Sequence, residues 1–234
     1  MSIESITFAG HSAVFLNAGD SVIAIDPWLE GNPSCPNELK SPKRIDLIVL
    51  THGHADHASE AVHLAKQYGS KIAATYELAV LMQQEGVAPE QTFPMNKGGT
   101  ISWNGFTVTL TNAFHSSSYD TAKGTVYAGE ACGVIIGDGS RHIYHAGDTC
   151  LFEDMALIQK RYQPEIALLP IGDRFTMGPE EAAQAAKLIG CKLAIPIHYK
   201  TFDLLTGTAE EFSKACGALS IETLALEPGQ THSL

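Results

Sequence analysis

A group of histidines placed directly after an apolar run constrains this chain more than any other feature of its sequence. The run ends at Leu50, and Thr51 leads into His52, His54, Asp56 and His57. Because His52 and His54 are two positions apart, a tight loop can aim both imidazoles at one ion, while Asp56 and His57 turn toward a second. A polar loop that is merely rich in histidine is the weaker interpretation, since exposed loops rarely need this residue. The motif therefore predicts a metal site at the end of a buried strand.

One loop cannot close two metal sites, so further ligands must come from elsewhere in the chain. His115 and His198 each follow a strand-like run, and Asp148 follows the strand-like residues 142–145. Ligands in α/β folds gather at the carboxyl ends of strands. A single histidine in such a place is more often a core residue with its hydrogen bonds satisfied. Here an open loop site needs partners, which favours His115, Asp148 and His198 as ligands.

The remaining chain alternates between strand-like and helix-like segments separated by turn residues, including the hairpin dipeptides Asn104-Gly105 and Asp138-Gly139. Strands are predicted at residues 3–8, 13–16, 21–25, 46–50, 71–74, 100–103, 106–111, 133–136, 142–145, 166–169, 193–197 and 221–226, and helices at 59–68, 76–85, 152–161, 179–189 and 209–215. Two β-rich stretches, each passing into helix–strand alternation, predict an α/β fold of two sheets with helices outside, in one domain over residues 1–234.

The composition limits the classes of partner. Lys and Arg number 15 against 26 Asp and Glu, a formal net charge of −11, and we expect no binding to nucleic acid because the chain would repel phosphates. No apolar stretch approaches the ~20 residues that a membrane-spanning helix needs. Five cysteines without a Cys-x-x-Cys pair, and a first segment without signal-peptide character, predict a cytoplasmic protein with reduced thiols. A small-molecule substrate is the expected partner, and the sequence is compatible with a homo-oligomer.

The ordered set of motifs resembles the metallo-β-lactamase superfamily. Finer motifs resemble one branch of it, a family of small metal-dependent hydrolases similar to L-ascorbate-6-phosphate lactonase and, more distantly, to the N-acylethanolamine phospholipase D group. They are Gly10-His11-Ser12, Asp26-Pro27-Trp28, Gly31-Asn32-Pro33, His115-Ser116-Ser117, His145-Ala146-Gly147-Asp148-Thr149, Phe175-Thr176-Met177-Gly178-Pro179 and Pro196-Ile197-His198-Tyr199. In one place the chain departs from the family, which often has glycine where Lys200 stands.

This resemblance implies a four-layer αββα sandwich with two divalent ions at one edge. Carried over to this chain, one ion would be bound by His52, His54 and His115, and the other by Asp56, His57 and His198. Asp148 would bridge the two. The donor types suit Zn, Mn, Fe or Ni.

Two such ions share a water and lower its pKa from ~15.7 toward ~7, which predicts a hydrolase that attacks a lactone or a phosphodiester with a bridging hydroxide. Asp56 is expected to orient that hydroxide and to pass its proton to the leaving group. His11 and His145 are the other candidate catalytic residues, with a core or supporting role as the alternative for each. Asp26 is expected to accept a ring N–H from a ligand histidine, or else to form a turn before Pro27.

Three points stay open in the sequence. Arg174 and Lys200 follow predicted strand ends and could bind an anionic group, although solvated surface charge is the simpler interpretation. A non-catalytic metal-binding or regulatory protein on the same fold is the alternative function, and metal storage or sensing is a third. His63, His142 and His232 carry no signal for a site.

Overall fold

The computed structural model describes residues 2–234, in which the chain forms two large sheets and a two-stranded ribbon. The strands are β1 (Ser5–Gly10), β2 (Ala13–Ala18), β3 (Ser21–Ile25), β4 (Leu47–Val49), β5 (Lys71–Thr75), β6 (Thr92–Met95), β7 (Thr100–Trp103), β8 (Phe106–Asn112), β9 (Ser118–Thr121), β10 (Gly124–Tyr127), β11 (Cys132–Gly137), β12 (His142–His145), β13 (Ile166–Pro170), β14 (Leu193–Ile197), β15 (Glu222–Thr223) and β16 (Thr231–Ser233).

The helices are short and follow strands along the chain. They are α1 (Asn37–Lys40), α2 (Ala55–Ala58), α3 (Ala61–Tyr68), α4 (Tyr76–Gln84), α5 (Met155–Tyr162), α6 (Pro179–Ile189) and α7 (Ala209–Ala218), with a 3₁₀ turn at Pro89–Gln91. The longest helix in the described range, α6, has 11 residues, and none there has the length and apolar character that crossing a bilayer requires.

Each large sheet has seven strands of mixed direction. The first has the order β16-β1-β2-β3-β4-β5-β6 and the second the order β15-β14-β13-β12-β11-β8-β7. Strands β3 to β6 run parallel, and so do β12 to β15. The ribbon of β9 and β10 stands apart from both sheets.

Side chains alternate between the two faces of each sheet, and this alternation explains why the sheets and helices form layers. In β4, Leu47 and Val49 enter the apolar core between the sheets, while Ile48 faces the core under the helices. In the second sheet, Val134 enters the same central core and Ile135 packs on the opposite side, in the core that contains residues of α5, α6 and α7. Side chains of a strand point to alternate faces, so each sheet buries both of its faces. The predicted αββα sandwich is confirmed.

The structure adjusts one predicted helix and corrects one predicted strand. The helix predicted at residues 59–68 is present as α3, which begins at Ala61, and a separate short helix, α2, precedes it at Ala55–Ala58. The strand predicted at residues 221–226 pairs only over Glu222–Thr223. The last strand is β16, which returns to the first sheet and pairs with β1.

The turn between β11 and β12 gives a first testable prediction. Asp138 Oδ1 accepts hydrogen bonds from Ser140 and Arg141, and its Oδ2 accepts one from the Ile3 backbone N–H at 3.0 Å. We expect Asp138→Ala to lower the free energy of unfolding by ~1–2 kcal/mol in urea denaturation, since the N–H groups lose their acceptor. Ser140→Ala is the matched control, with an expected loss below ~1 kcal/mol.

The difference in unfolding free energy between wild type and Asp138→Ala should decrease in acid. Burial alone would raise the pKa of Asp138, but the hydrogen bonds from Ile3, Ser140 and Arg141 outweigh it and lower that pKa from 3.8 to about 2. A carboxyl group with a depressed pKa stabilises the fold above its ordinary pKa, and the stabilisation is lost as the pH falls toward the folded value. The gap between wild type and Asp138→Ala should therefore shrink between about pH 4 and pH 2. A gap that stays constant over this window would contradict the assignment.

Candidate metal centre

All of the predicted ligands lie at one edge of the sandwich. The structure places them in the segments that follow strands whose carboxyl ends meet there: His52, His54, Asp56 and His57 after β4, His115 after β8, Asp148 after β12 and His198 after β14. Two further residues join them, Asp26 after β3 and His11 in the turn between β1 and β2. The edge thus brings together side chains from both sheets.

Three histidines form one group with the spacing of a metal site. His52, His54 and His115 each offer a ring nitrogen, and these nitrogens lie within 4.8 Å of one another. His52 Nε2 is 3.1 Å from His54 Nδ1, so the two-residue spacing does aim both rings at one point. This is the set that the resemblance implies for the first ion.

A second group lies beside the first. His11, Asp56, His57 and His198 offer donor atoms that are all within 4.8 Å of one another. It contains the set implied for the second ion and adds His11. His11 Nε2–H donates to Asp56 Oδ2 at 3.0 Å.

Asp148 faces both groups. Its Oδ2 lies 3.7 Å from His115 Nε2 in the first group and 3.0 Å from His198 Nε2 in the second. Its Oδ1 lies 3.4 Å from His57 Nε2. A single carboxylate therefore stands where a bridging ligand would.

Buried polar atoms without hydrogen-bond partners indicate whether these residues fit a metal ion. Within residues 2–234, His57 Nε2 and Asp148 Oδ1 are buried and have no hydrogen-bond partner. A buried polar atom without a partner is costly, so native structures rarely keep one without a ligand, an ion or water beside it. A carboxylate oxygen and a ring nitrogen that face each other at 3.4 Å suit a cation between them, either a proton or a metal ion. The donor set fits a divalent metal ion.

The electrostatics of His57 agree with this fit. Burial alone would lower the pKa of His57, but the carboxylates of Asp148 and Asp26 outweigh it and raise that pKa well above its ordinary value. Asp148 has the opposite shift: burial would raise its pKa, and the nearby His198 and His57 hold it well below the usual range. The site favours positive charge at the point where His57 and Asp148 meet.

Asp26 holds the loop that carries the histidine motif. It is fully buried, and its Oδ1 accepts the Thr51 backbone N–H at 2.8 Å. Its Oδ2 accepts the Thr51 hydroxyl at 2.6 Å and the His57 Nδ1–H at 2.8 Å. The hydrogen bond expected between Asp26 and a histidine of the motif is present, and it leaves His57 Nε2 free to face Asp148.

His145 does not occupy the position expected of a catalytic residue. It is fully buried, its Nε2–H donates to the Ser12 carbonyl at 3.0 Å, and its Nδ1 accepts the Gly147 N–H at 3.1 Å. Both ring nitrogens are therefore engaged by backbone, and neither can contact substrate. His145 fixes the turn that presents Asp148, which is the supporting role considered as the alternative.

His11 is placed differently. Its Nε2 contacts Asp56, its Nδ1 lies 3.0 Å from Thr201 Oγ1, and its ring centroid is 4.0 Å from that of His198. Burial is the main cause that lowers the pKa of His11 to about 4, so the ring is neutral near pH 7. Its position beside Asp56 supports a role at the second group.

The two surface cations considered as anion-binding residues have other neighbours. Lys200 Nζ lies 3.7 Å from Glu227 Oε1, and the Arg174 guanidinium lies 5.7 Å from the centre of the Phe175 ring. The backbone of Lys200 has a φ of +61°. This left-handed conformation favours glycine, which explains why the resembled family often has that residue here.

The amino-acid sequence of this chain matches a known protein family. A sequence profile described as the beta-lactamase superfamily domain matches residues 17–199. A "UPF0173 metal-dependent hydrolase" of Rubrobacter xylanophilus is 44% identical over 230 residues, which cover 96% of this chain and 94% of the relative. The chain belongs to this metal-dependent hydrolase family of the beta-lactamase superfamily.

Solved structures agree with the assignment of this hydrolase to its superfamily. Igni18, a metallo hydrolase from the archaeon Ignicoccus hospitalis, superposes with a TM-score of 0.89 at 35% identity, covering 100% of this chain and 99% of Igni18. The metallo-beta-lactamase fold protein YhfI of Bacillus subtilis has a TM-score of 0.73 at 16% identity, covering 100% of both chains, and shows the fold alone.

Backbone strain at the centre of this hydrolase could not be seen in the sequence. His11, Asp26 and His198 have φ values of +57°, +47° and +55°. Such conformations are uncommon for residues other than glycine, and they concentrate at functional sites. The backbones of two of these residues also meet, because the His198 N–H donates to the His11 carbonyl at 2.7 Å.

Proposed function

We propose that this hydrolase cleaves a small ester-like substrate, a lactone or a phosphodiester, at a centre that holds two divalent metal ions. The observation that carries the proposal is the Asp148 carboxylate, which faces both histidine groups and keeps a buried Oδ1 without a hydrogen-bond partner. The ligand sets proposed are His52, His54 and His115 for one ion and Asp56, His57 and His198 for the other, with Asp148 between them.

Divalent ions bound there would lower the pKa of a water and polarise the substrate's carbonyl or phosphoryl oxygen. The protein's own part is to hold the donors in place. Asp26 orients His57, and the backbone bond between His198 and His11 joins the loops of the two sheets. Such support keeps imidazoles in one tautomer and one orientation.

The centre is partly open to solvent at Asp56, His115 and His54. Asp56 and His115 keep 29% and 15% of their side-chain surface exposed, while the side chains of His52 and His57 are fully buried. We expect the substrate to approach beside these exposed ligands. Asp56 Oδ2 accepts the His11 Nε2–H, so the neutral His11 ring orients the Asp56 carboxylate, which is placed to pass a proton from the attacking water to the leaving group.

Metal content and turnover test the proposal together. We expect the purified chain, loaded with Mn or Zn, to contain close to two ions and to lose turnover when a chelator removes them. Rates on bis(p-nitrophenyl) phosphate and on γ-butyrolactone then decide between phosphorus and carbonyl chemistry, with Asp56→Ala as the impaired variant. Two bound ions with no turnover of either reagent would favour the non-catalytic alternative.

A histidine outside the centre supplies the control for this test. His63 is exposed on α3, away from both ligand groups. We expect His63→Ala to keep its metal content and to stay within ~2-fold of wild-type turnover, as surface changes usually do. A larger loss of activity in a folded variant would show that the set of functional histidines is incomplete.

A further inference from the structure

We propose that Trp28 and Phe202 form an aromatic wall beside the metal centre that binds an uncharged, apolar group of the substrate. The inference rests on the proposed hydrolysis and deepens it, because it names the class of substrate. It assigns specificity to two residues that belong to neither ligand group.

The geometry places this aromatic wall one residue away from the ligands. The rings of Trp28 and Phe202 pack together, with their centroids 5.9 Å apart. Each is edge-on to His11, at 5.4 Å for Trp28 and 5.5 Å for Phe202. His11 in turn contacts Asp56, which borders the open side of the centre. A substrate group that reaches past Asp56 meets the wall.

The aromatic wall has apolar surface that nothing in the described chain covers. Phe202 is 39% exposed and Leu204, two residues further along the same loop, is 48% exposed. Phe202 follows His198 by four residues and packs against His11, so its exposed ring lies beside the second ligand group. Covering exposed aromatic surface with an apolar ligand is favourable, and aromatic contacts add to the gain from burial.

Trp28 is held in place before any ligand arrives. The Glu60 carboxylate accepts the backbone N–H groups of Leu29, Glu30 and Gly31, at distances of 3.1, 2.9 and 2.8 Å. A Cβ on Gly31 would lie 2.6 Å from the indole Nε1 of Trp28, so glycine is needed for the indole to lie there. A wall that is already fixed loses little conformational freedom on binding.

The charged neighbours of the centre favour a substrate without a second anionic group. Within residues 2–234, no lysine or arginine makes an ion pair with Asp26, Asp56 or Asp148. Lys200 pairs with Glu227. The neighbouring charge that does act on His54 from the ribbon is an acidic one, Asp120. Lys200 shares a cleft with His11, but Glu227 in the same cleft offsets its charge. Phosphate groups are normally held by arginine or lysine, so we expect the part of the substrate away from the reacting bond to be neutral.

Fluorescence tests binding without turnover. The chain has two tryptophans, Trp28 and Trp103, so Trp103→Phe leaves Trp28 as the only indole. In this variant we expect 5-phenyl-2-pyrrolidinone, a lactam that resists hydrolysis, to give a saturable blue shift, whereas 2-pyrrolidinone gives none. Adding Phe202→Ala should weaken binding of the phenyl lactam about tenfold, or ~1.4 kcal/mol. Leu157→Ala, which removes an apolar side chain 49% exposed on α5, should leave it unchanged.

Kinetics then connect the aromatic wall to specificity. We expect Trp28→Ala and Phe202→Ala each to lower about tenfold the ratio of kcat/KM for γ-phenyl-γ-butyrolactone to that for γ-butyrolactone, mainly through KM. If the phenyl lactam binds equally well to Trp103→Phe with and without the Phe202→Ala change, the proposed aromatic wall is wrong. A blue shift with no turnover of either lactone or of bis(p-nitrophenyl) phosphate would support the aromatic wall and overturn the proposed hydrolysis, so the two failures can be told apart.

Discussion

Replacing Asp148 by alanine should remove both metal binding and turnover while leaving the fold nearly intact. Its carboxylate is the group that faces His115 on one side and His57 and His198 on the other. Loss of a residue that merely supports a ligand costs 10–100-fold in metal affinity, and we expect a shared ligand to cost more than ~100-fold. The loss of metal is measured by mass spectrometry. The loss of turnover is measured as kcat/KM on whichever of bis(p-nitrophenyl) phosphate and γ-butyrolactone the wild type cleaves.

Two comparisons make the Asp148 result interpretable. The far-UV circular dichroism of Asp148→Ala should match that of wild type, because the side chain lies at the edge of the sandwich rather than in its apolar core. Asp148→Asn keeps the size and one carbonyl oxygen but loses the charge, so it should retain more metal than alanine does. Metal-dependent turnover that survives in Asp148→Ala would remove Asp148 from the bridging position.

Asp26→Asn should have the largest effect on stability. The buried carboxylate accepts three hydrogen bonds, from the Thr51 N–H, the Thr51 hydroxyl and the His57 Nδ1–H. Asparagine can replace the first acceptor, but its NH₂ group faces the two donors that contact Oδ2. Breaking a buried charged contact costs ~3–5 kcal/mol, and we expect a loss of this size in urea denaturation of the metal-free protein.

The same variant should also bind metal 10–100-fold more weakly, because His57 loses the partner that orients it. Asp46→Asn is the matched control. Asp46 accepts the Val22 N–H at 2.9 Å and lies 2.7 Å from Arg44 Nε, but it is partly exposed, and exposed ion pairs contribute little. If Asp26→Asn loses stability but keeps wild-type metal affinity, Asp26 serves the fold alone.

Elements with clear local signals were predictable. Pro179 and Gly190 mark the two ends of α6, and its bounds follow from proline at the first helical position and glycine in the left-handed conformation after the last. The ribbon strand β10 is exposed at every position, so it shows no alternation that a pattern could detect. Strand β6 contains Pro94, which fits because β6 is an edge strand, a fact that only the assembled sheet reveals.

The site, like the fold, was predictable only where the sequence carries a local signal. The predicted ligands follow strand-like runs, and the carboxyl ends of those strands do meet at one edge. The position of His145 was not predictable, because its partner Ser12 lies 133 residues away in the chain. Glu60 likewise acts on backbone N–H groups about 30 residues earlier, a contact that leaves no motif. The long-range hydrogen bond to Ser12, and not the residue type, distinguishes His145 from the histidines predicted as ligands.

The return of β16 to the first sheet has a consequence for how the chain is made. Thr7 pairs with Thr231 and Ser5 with Ser233, so the outer edge of β1 acquires its partner from a strand about 224 residues later in the chain. Until then the nascent chain presents an open strand edge, the kind of surface on which neighbouring chains associate. The sheet whose strands are synthesised first is therefore completed only after every strand of the second sheet has been made.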